Sequence, residues 1–314
     1  MKILVTGGAG YLGSTMVPIL AKSGHDVTVL DNFMYRQDHV VRMWPQENIT
    51  AINGDARDKA VMKKLMAKAD AVFPLACLTG APLCDQKPKE AEEIVIDALR
   101  LILKLRSQAQ VVIYPTTNSG YGIGEKGKFC TEKTPLRPVS LYGRLKVQAE
   151  KELLDAKQAI TLRLATAFGV SPRMRLDLLV NDFTYKAVKD KKIKLFEGHF
   201  KRNFVHVRDI AKAFLHVLNH FERLKNEPYN VGLSEANLSK LELCQEIKKQ
   251  VPGFEITEDK HGKDPDKRDY IVSNEKIEKT GFKCDVSLSE GIKELIKLYR
   301  AEDLKKSPYQ VTNV

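Results

Sequence analysis

The 314-residue sequence contains no apolar run approaching the roughly 18 residues that a membrane span requires, so no membrane partner is expected. Cysteine is sparse. The five residues Cys77, Cys84, Cys130, Cys244 and Cys284 are odd in number, scattered, and include no CxxC pair. That pattern argues against a disulfide framework or a zinc ribbon and predicts reduced thiols in a cytoplasmic setting. Metal-ligand spacing is also missing among the histidines. His216 and His220 stand four apart, but without the carboxylate of an HExxH site. No metal is expected. Internal repeats and low-complexity linkers are absent, and the opening Met1–Thr6 passes directly into a strand pattern, leaving no room for a secretory signal. The excess of one charge sign is modest: 51 Lys+Arg against 40 Asp+Glu, a formal net charge of +11. A basic surface favours anionic partners. Its lysines, however, are interleaved with glutamates, as in Lys146–Glu152, the pattern of solvated helix faces, and no specific nucleic acid is expected.

What is present is a rhythm. Over the first 170 residues short apolar runs rich in β-branched residues alternate with longer amphipathic ones. The spacing predicts strands at Lys2–Thr6, Asp26–Leu30, Ile49–Asn53, Ala71–Leu75, Val111–Tyr114 and Ile160–Leu164. Helices are predicted near 12–23, 58–68, 88–106 and 141–157. Such a βαβα alternation implies an α/β fold, a doubly wound parallel sheet of Rossmann type. Beyond residue 170 the pattern shortens, with helices expected at 177–190, 208–221, 239–250 and 287–300 and strands at Lys192–Phe196, Asn203–Val207 and Pro228–Val231. We read residues 1–170 as a dinucleotide-binding domain and 171–314 as a smaller α/β substrate lobe, with an interleaved boundary. The tail after Leu304 is expected to be loosely held.

Thr6-Gly7-Gly8-Ala9-Gly10-Tyr11-Leu12-Gly13 follows the first strand and opens a helix. It satisfies GxGxxG in the strand–turn–helix context that the motif needs. Gly7, Gly10 and Gly13 permit a tight turn and close backbone approach, and Tyr11 and Leu12 begin the helix on whose positive end a pyrophosphate rests. Asp31 ends the second strand, 18 residues past Gly13. A carboxylate there accepts the adenosine ribose hydroxyls and repels a 2′-phosphate, which selects NAD, and neighbouring Asn32 is neutral. After the third strand, Asp55 and Ala56 are placed for the adenine; Asp55 also has the chemistry of a helix N-cap.

Tyr142 and Lys146 form a YxxxK motif within a helical pattern, where the i, i+4 spacing sets both on one face. A nearby ammonium, aided by oxidised nicotinamide, favours the phenolate, so that Tyr142 can take a proton from a sugar hydroxyl. The stretch Tyr114-Pro-Thr116-Thr117-Asn118-Ser119-Gly120-Tyr121-Gly122 resembles the Ser/Thr-x-x-x-Tyr-Gly segment of the extended short-chain dehydrogenase/reductase (NAD-dependent epimerase/dehydratase) family, closest in pattern to its UDP-galactose 4-epimerase-like members. The resemblance implies that Thr117, or else Thr116, is the third catalytic residue. It further places Leu75 and Ala76 by the cofactor and Thr79 by the sugar. Arg202-Asn-Phe-Val-His-Val-Arg-Asp209 resembles the family element whose arginine meets a substrate diphosphate, a bidentate task suited to Arg202. Phe196 matches the aromatic packed against the nucleobase. Three departures stand out: Pro74 where the family often has His, Thr166 where it usually has a substrate-binding Asn, and no Asn near 94–97.

The two residues after Thr117 bear on the reaction. The family's 4,6-dehydratases carry Asp-Glu there; this chain has Asn118-Ser119, which supply no separate acid and base. The resemblance therefore implies an isomerase, a nucleotide-sugar 4-epimerase working through a transient 4-keto sugar. Thr117-Asn118 also resembles a segment of CDP-sugar 2-epimerases, with Asn118 and Cys84 near the sugar. A non-enzymatic NAD- or RNA-binding relative is the remaining class, against which the retained Tyr142 and Lys146 speak. Further cations for a substrate diphosphate are Arg173, Arg175, Lys263 and Arg268, and the Arg173-Met-Arg-Leu-Asp177 run resembles one that holds a sugar carboxylate in UDP-glucuronate 4-epimerases. By analogy with the family, the helices near 88–106 and 141–157 imply a homodimer.

Overall fold

The computed structural model describes residues 1–259, 268–307 and 309–313. Its centre is a seven-stranded sheet in which every neighbouring pair is parallel. Strands β1 (Lys2–Thr6), β2 (Asp26–Asp31), β3 (Ile49–Asn53), β4 (Ala71–Pro74) and β5 (Val111–Thr117) are joined by Ala159–Leu164 and Pro228–Val231. The order across the sheet is Pro228–Val231, Ala159–Leu164, β5, β4, β1, β2, β3.

Alternation along the strands explains why both faces are covered. On β1, Ile3 and Val5 enter a core with Met16 and Leu20 of helix α1 (Tyr11–Lys22) and Phe214, while Leu4 points the other way, toward Met62, Leu99 and Leu145. The strand Pro228–Val231 and the helix Val207–Asn219 belong to this layer although they follow residue 170, so the chain's two halves interleave. A second core gathers Phe168, Phe183, Phe204, Leu243, Leu295 and Tyr299. Around it lie small sheets: Thr166–Phe168 with Lys201–His206 and Asn237–Ser239, and Lys192–Phe196 with Glu255–Asp259.

Two expectations are revised. The single helix over 88–106 is interrupted: a π-helical turn at Glu93–Asp97 separates Pro88–Glu92 from Ala98–Leu105. This turn lets Val95, Ile96, Leu99 and Ile102 all face the core. The tail after Leu304 is held, not loose. Leu304 and Asn313 are buried, the Leu176 N–H donates to the Val311 carbonyl at 2.7 Å, and the Tyr309 ring stacks on His39 with centroids 3.6 Å apart.

Candidate active site

The carboxyl ends of β1, β2, β4 and β5 open into one cleft, the place where open parallel sheets bind ligands. Its lining reaches from the glycine turn to Tyr142 and Lys146.

At one end lies the glycine turn. Gly7 has φ +69°, and a Cβ there would sit 2.5 Å from the Ala76 nitrogen; at Gly13 a Cβ would meet the Gly8 carbonyl oxygen at 2.4 Å. Glycine is thus needed both for the turn and for packing the helix against it. Helix α1 begins at Gly10 with no side-chain cap and no acid in its first turn. Its positive end and first N–H groups are left for an anion. Asp31 is fixed by the N–H groups of Ala9 (3.0 Å) and Phe33 (2.9 Å) and by Gln37 Nε2 (3.2 Å), while burial raises its carboxyl above the usual range. Asp55 instead pairs with Arg57, Oδ2 to Nη2 at 2.6 Å, and that bond holds its carboxyl low. The N-cap of the following helix, Lys59–Met66, is Asp58, which accepts from the Ala60 and Val61 N–H groups.

At the other end the helix Leu141–Asp155, capped by Ser140, carries Tyr142 and Lys146 one turn apart on the cleft side. Lys146 is 3% exposed and donates to the Tyr114 hydroxyl and the Pro115 carbonyl, both at 3.1 Å. Burial opposes its charge, but Cys77, Tyr114 and Tyr142 outweigh that and raise its pKa. For Tyr142 burial is the larger influence, and it raises the phenol's pKa against the pull of Lys146. The expectation for the phenolate joins an oxidised nicotinamide to Lys146; with Lys146 alone, burial favours the neutral phenol. The two threonines of β5 are distinguished by their partners. Thr116 donates to the buried Glu150 at 2.9 Å, and Glu150 is clasped by Arg163 at 2.7 Å. Thr117 donates to Ser119 Oγ at 2.9 Å and accepts from the Ser119 N–H at 3.1 Å, and Ser119 in turn meets Arg268.

The cleft brings together Gly7, Gly10, Tyr11, Leu12, Gly13, Asp31, Asn32, Asp55, Ala56, Leu75, Ala76, Thr79, Thr117, Tyr142, Lys146, Thr166, Arg175 and Arg268. It does not include Asn118, Phe196 or Arg202. Asn118 opens the single 3-10 turn after β5, is fully buried, and its carboxamide has no partner among the described residues. Phe196 ends an edge strand at 38% exposure, its ring beside Lys194. Arg202 is buried, bonds the Lys201 carbonyl, and lies over Tyr270, which does line the cleft. Arg175 is ion-paired with Asp177. Arg173 approaches the glycine-turn end, 4.4 Å over the Tyr35 ring. Lys263 lies outside the described residues.

The profile of the NAD dependent epimerase/dehydratase family matches residues 3–232. The chain belongs to that family. The UDP-glucose 4-epimerase of Lactobacillus helveticus is 29% identical over 85% of this chain and 87% of its own length. Among solved structures, the UDP-glucose 4-epimerase of Thermotoga maritima with UDP-glucose has a TM-score of 0.84 at 24% identity, covering 96% of this chain and 99% of that one. The UDP-glucuronic acid 4-epimerase of Bacillus cereus, in complex with UDP-glucuronic acid and NAD, has a TM-score of 0.83 at 23% identity, covering 96% and 99%.

The cofactor of this epimerase/dehydratase chain is NAD, and the residues present fit it. The helix end of α1 lacks a side-chain cap, and a buried acid stands at the end of β2. Several cleft residues escaped the sequence reading. Gln37 steadies Asp31, and Cys77 sits between Ala76 and the Tyr142–Lys146 pair. Its place directly after Leu75-Ala76 was a usable signal. Tyr35 and Asn313 converge from distant parts of the chain, and no local motif announces them; Arg173, expected as a diphosphate cation, lies with them at the glycine-turn end. Among the described residues no helix is long and apolar enough to cross a membrane, and no group of three His, Cys, Asp or Glu is placed to hold a metal ion.

Proposed function

We propose that the chain is a nucleotide-sugar 4-epimerase acting on a UDP-sugar. The observation that carries this reading is the makeup of the reacting end. Thr117, Tyr142 and Lys146 share it, and the carboxylates among the described cleft residues, Asp31, Asp55 and Glu90, belong to the opposite end around Arg57 and the glycine turn. The groups that act most on Tyr142 are Lys146, Cys77, Tyr114 and Cys84, and Arg175 also reaches it; none of these is a carboxylate. Elimination of water needs a second acid and base beside the sugar, and no carboxylate stands there among the described residues. NAD, which the glycine turn and Asp31 would hold, would supply reversible hydride acceptance at one sugar carbon. Tyr142 removes and restores the hydroxyl proton, Lys146 steadies the phenolate, and Thr117 hydrogen-bonds the same sugar oxygen. For the last role Thr117 must exchange its bond to Ser119 for one to substrate. Thr79, Thr166 and Arg268 are assigned to the sugar and diphosphate.

A uronic acid sugar is the second reading, favoured by Arg175. This buried guanidinium lines the cleft and interacts with Tyr142. Its pairing with Asp177 leaves little net charge for a carboxylate, which ranks this reading below a neutral hexose.

Proton NMR of the protein with UDP-glucose, UDP-galactose, UDP-N-acetylglucosamine and UDP-glucuronate in D₂O decides between these readings. Conversion to the C4 epimer with no deuterium in the carbon skeleton is expected. Deuterium at C3 or C5, or loss of water or carbon dioxide, would overturn the 4-epimerase assignment.

A further inference from the structure

The last described residues form a strap along the glycine-turn end of the cleft. Among the contacts that hold it, Tyr309 stacks on His39 just past the loop after β2, Val311 accepts from the Leu176 N–H, and the Thr312 carbonyl accepts from Arg173 Nη2 at 3.2 Å. It therefore bridges the β2 side of the cleft to the loop Ser171–Asp177 of the second core. Two buried polar groups beside it are incompletely used. Asn313 is 6% exposed, lines the cleft, and its Oδ1 has no partner among the described residues. Arg173 is 2% exposed, lines the same wall, and its Nε has no partner among the described residues. Leaving such groups unpaired is costly, so a ligand that pairs them is favoured. Arg173 also sits within the field of Asp31, placing both groups near the end of the cleft suited to a ribose.

We infer that Tyr309–Asn313 is part of the NAD site: Asn313 and Arg173 bind the adenosine ribose–pyrophosphate half, and the strap must lift before the dinucleotide can leave. The chemistry is complementary. A carboxamide oxygen accepts from a ribose hydroxyl or the adenine amino group, and a guanidinium Nε–H donates to a pyrophosphate or ribose oxygen. The inference rests on NAD as cofactor and not on which sugar is turned over. Retention under the strap suits a cofactor that ends each turnover as it began.

The test is calorimetric titration of the full-length protein, freed of nucleotide, with NAD and separately with ADP-ribose, plus stopped-flow displacement of bound NAD. Asn313→Ala is expected to weaken both ligands about 3–10-fold, the loss of one hydrogen bond. Tyr309→Ala is expected to speed NAD release at least about tenfold by unseating the strap. Asn313→Asp, nearly isosteric, keeps the packing if the alanine variant fails to fold, and its carboxylate should weaken binding further by repelling the pyrophosphate. Affinities and release rates within twofold of the parent for all three variants would overturn the inference. So would a loss confined to UDP binding with ADP-ribose unaffected, since the strap would then serve the substrate.

Discussion

Tyr142 must exchange a proton from surroundings that favour its neutral form, and Lys146, spent on Tyr114 and the Pro115 carbonyl, pulls the other way only in part. Removing the hydroxyl while keeping the ring should therefore abolish proton transfer and spare the dinucleotide site. Tyr142→Phe is expected to lower kcat about 10²–10⁴-fold, with NAD affinity by calorimetry changed no more than a few-fold. An equal fall in NAD affinity would mean that the ring holds the cofactor and that another group moves the proton. The neighbouring threonines show how far residue spacing carries an argument. Both Thr116 and Thr117 line the cleft, and spacing alone does not separate them. Their partners differ: Thr116 donates to the buried Glu150 carboxylate, Thr117 to Ser119.

Elements with a clear period were legible. Lys2–Thr6, Ile49–Asn53, Lys192–Phe196 and Pro228–Val231 have the bounds that their alternation implied, and Asp31 stands where β2 ends. Of the missed strands, Phe129–Cys130, Thr166–Phe168, Asn237–Ser239 and Ile271–Val272 are two or three residues long, too short for a period, while Glu255–Asp259 is five long and mostly polar; all exist through pairing with remote partners. The π-turn at Glu93–Asp97 was equally hidden, because one extra residue per turn barely alters an apolar pattern. The helix Val207–Asn219 supplies a prediction at this scale. Its N-cap, His206, accepts from the Arg208 N–H, is fully buried, and has its pKa lowered to about 4 by burial and by Arg208. The unfolded chain binds this proton near pH 6.5, so between there and pH 4 it holds more protons than the folded one. Stability is therefore lost as pH falls through that window, by an amount on the order of 3 kcal/mol. Urea midpoints measured from pH 7 to 4 should decline, and His206→Asn, which keeps a capping acceptor, should flatten the decline. An unchanged slope in the variant would assign the acid sensitivity elsewhere.

At the scale of the whole molecule, the cleft lies between two cores whose chain segments interleave, and this is why its residues come from positions 7 to 313. The glycine turn, Asp31 and the Tyr142–Lys146 helix turn were legible because each is local. Tyr35 and Asn313 were not, because only the packed fold makes them neighbours of the site. The helices Ala98–Leu105 and Leu141–Asp155 lie side by side, joined by a bidentate Arg100–Glu152 pair, and offer the face expected to form a two-fold dimer. Light scattering at micromolar concentration should give twice the mass of the chain; the mass of one chain would refute that assembly. The buried pair Glu150–Arg163 has a consequence for genetics. It ties the helix carrying Tyr142 and Lys146 to the adjoining strands through Thr116, Thr161 and Tyr121. Breaking such a pair costs about 3–5 kcal/mol. A random screen for lost activity will consequently return alleles at positions 150 and 163 alongside those at 142. Null alleles of the first kind will be temperature-sensitive and depleted from the cell; those of the second will accumulate as intact, inert protein.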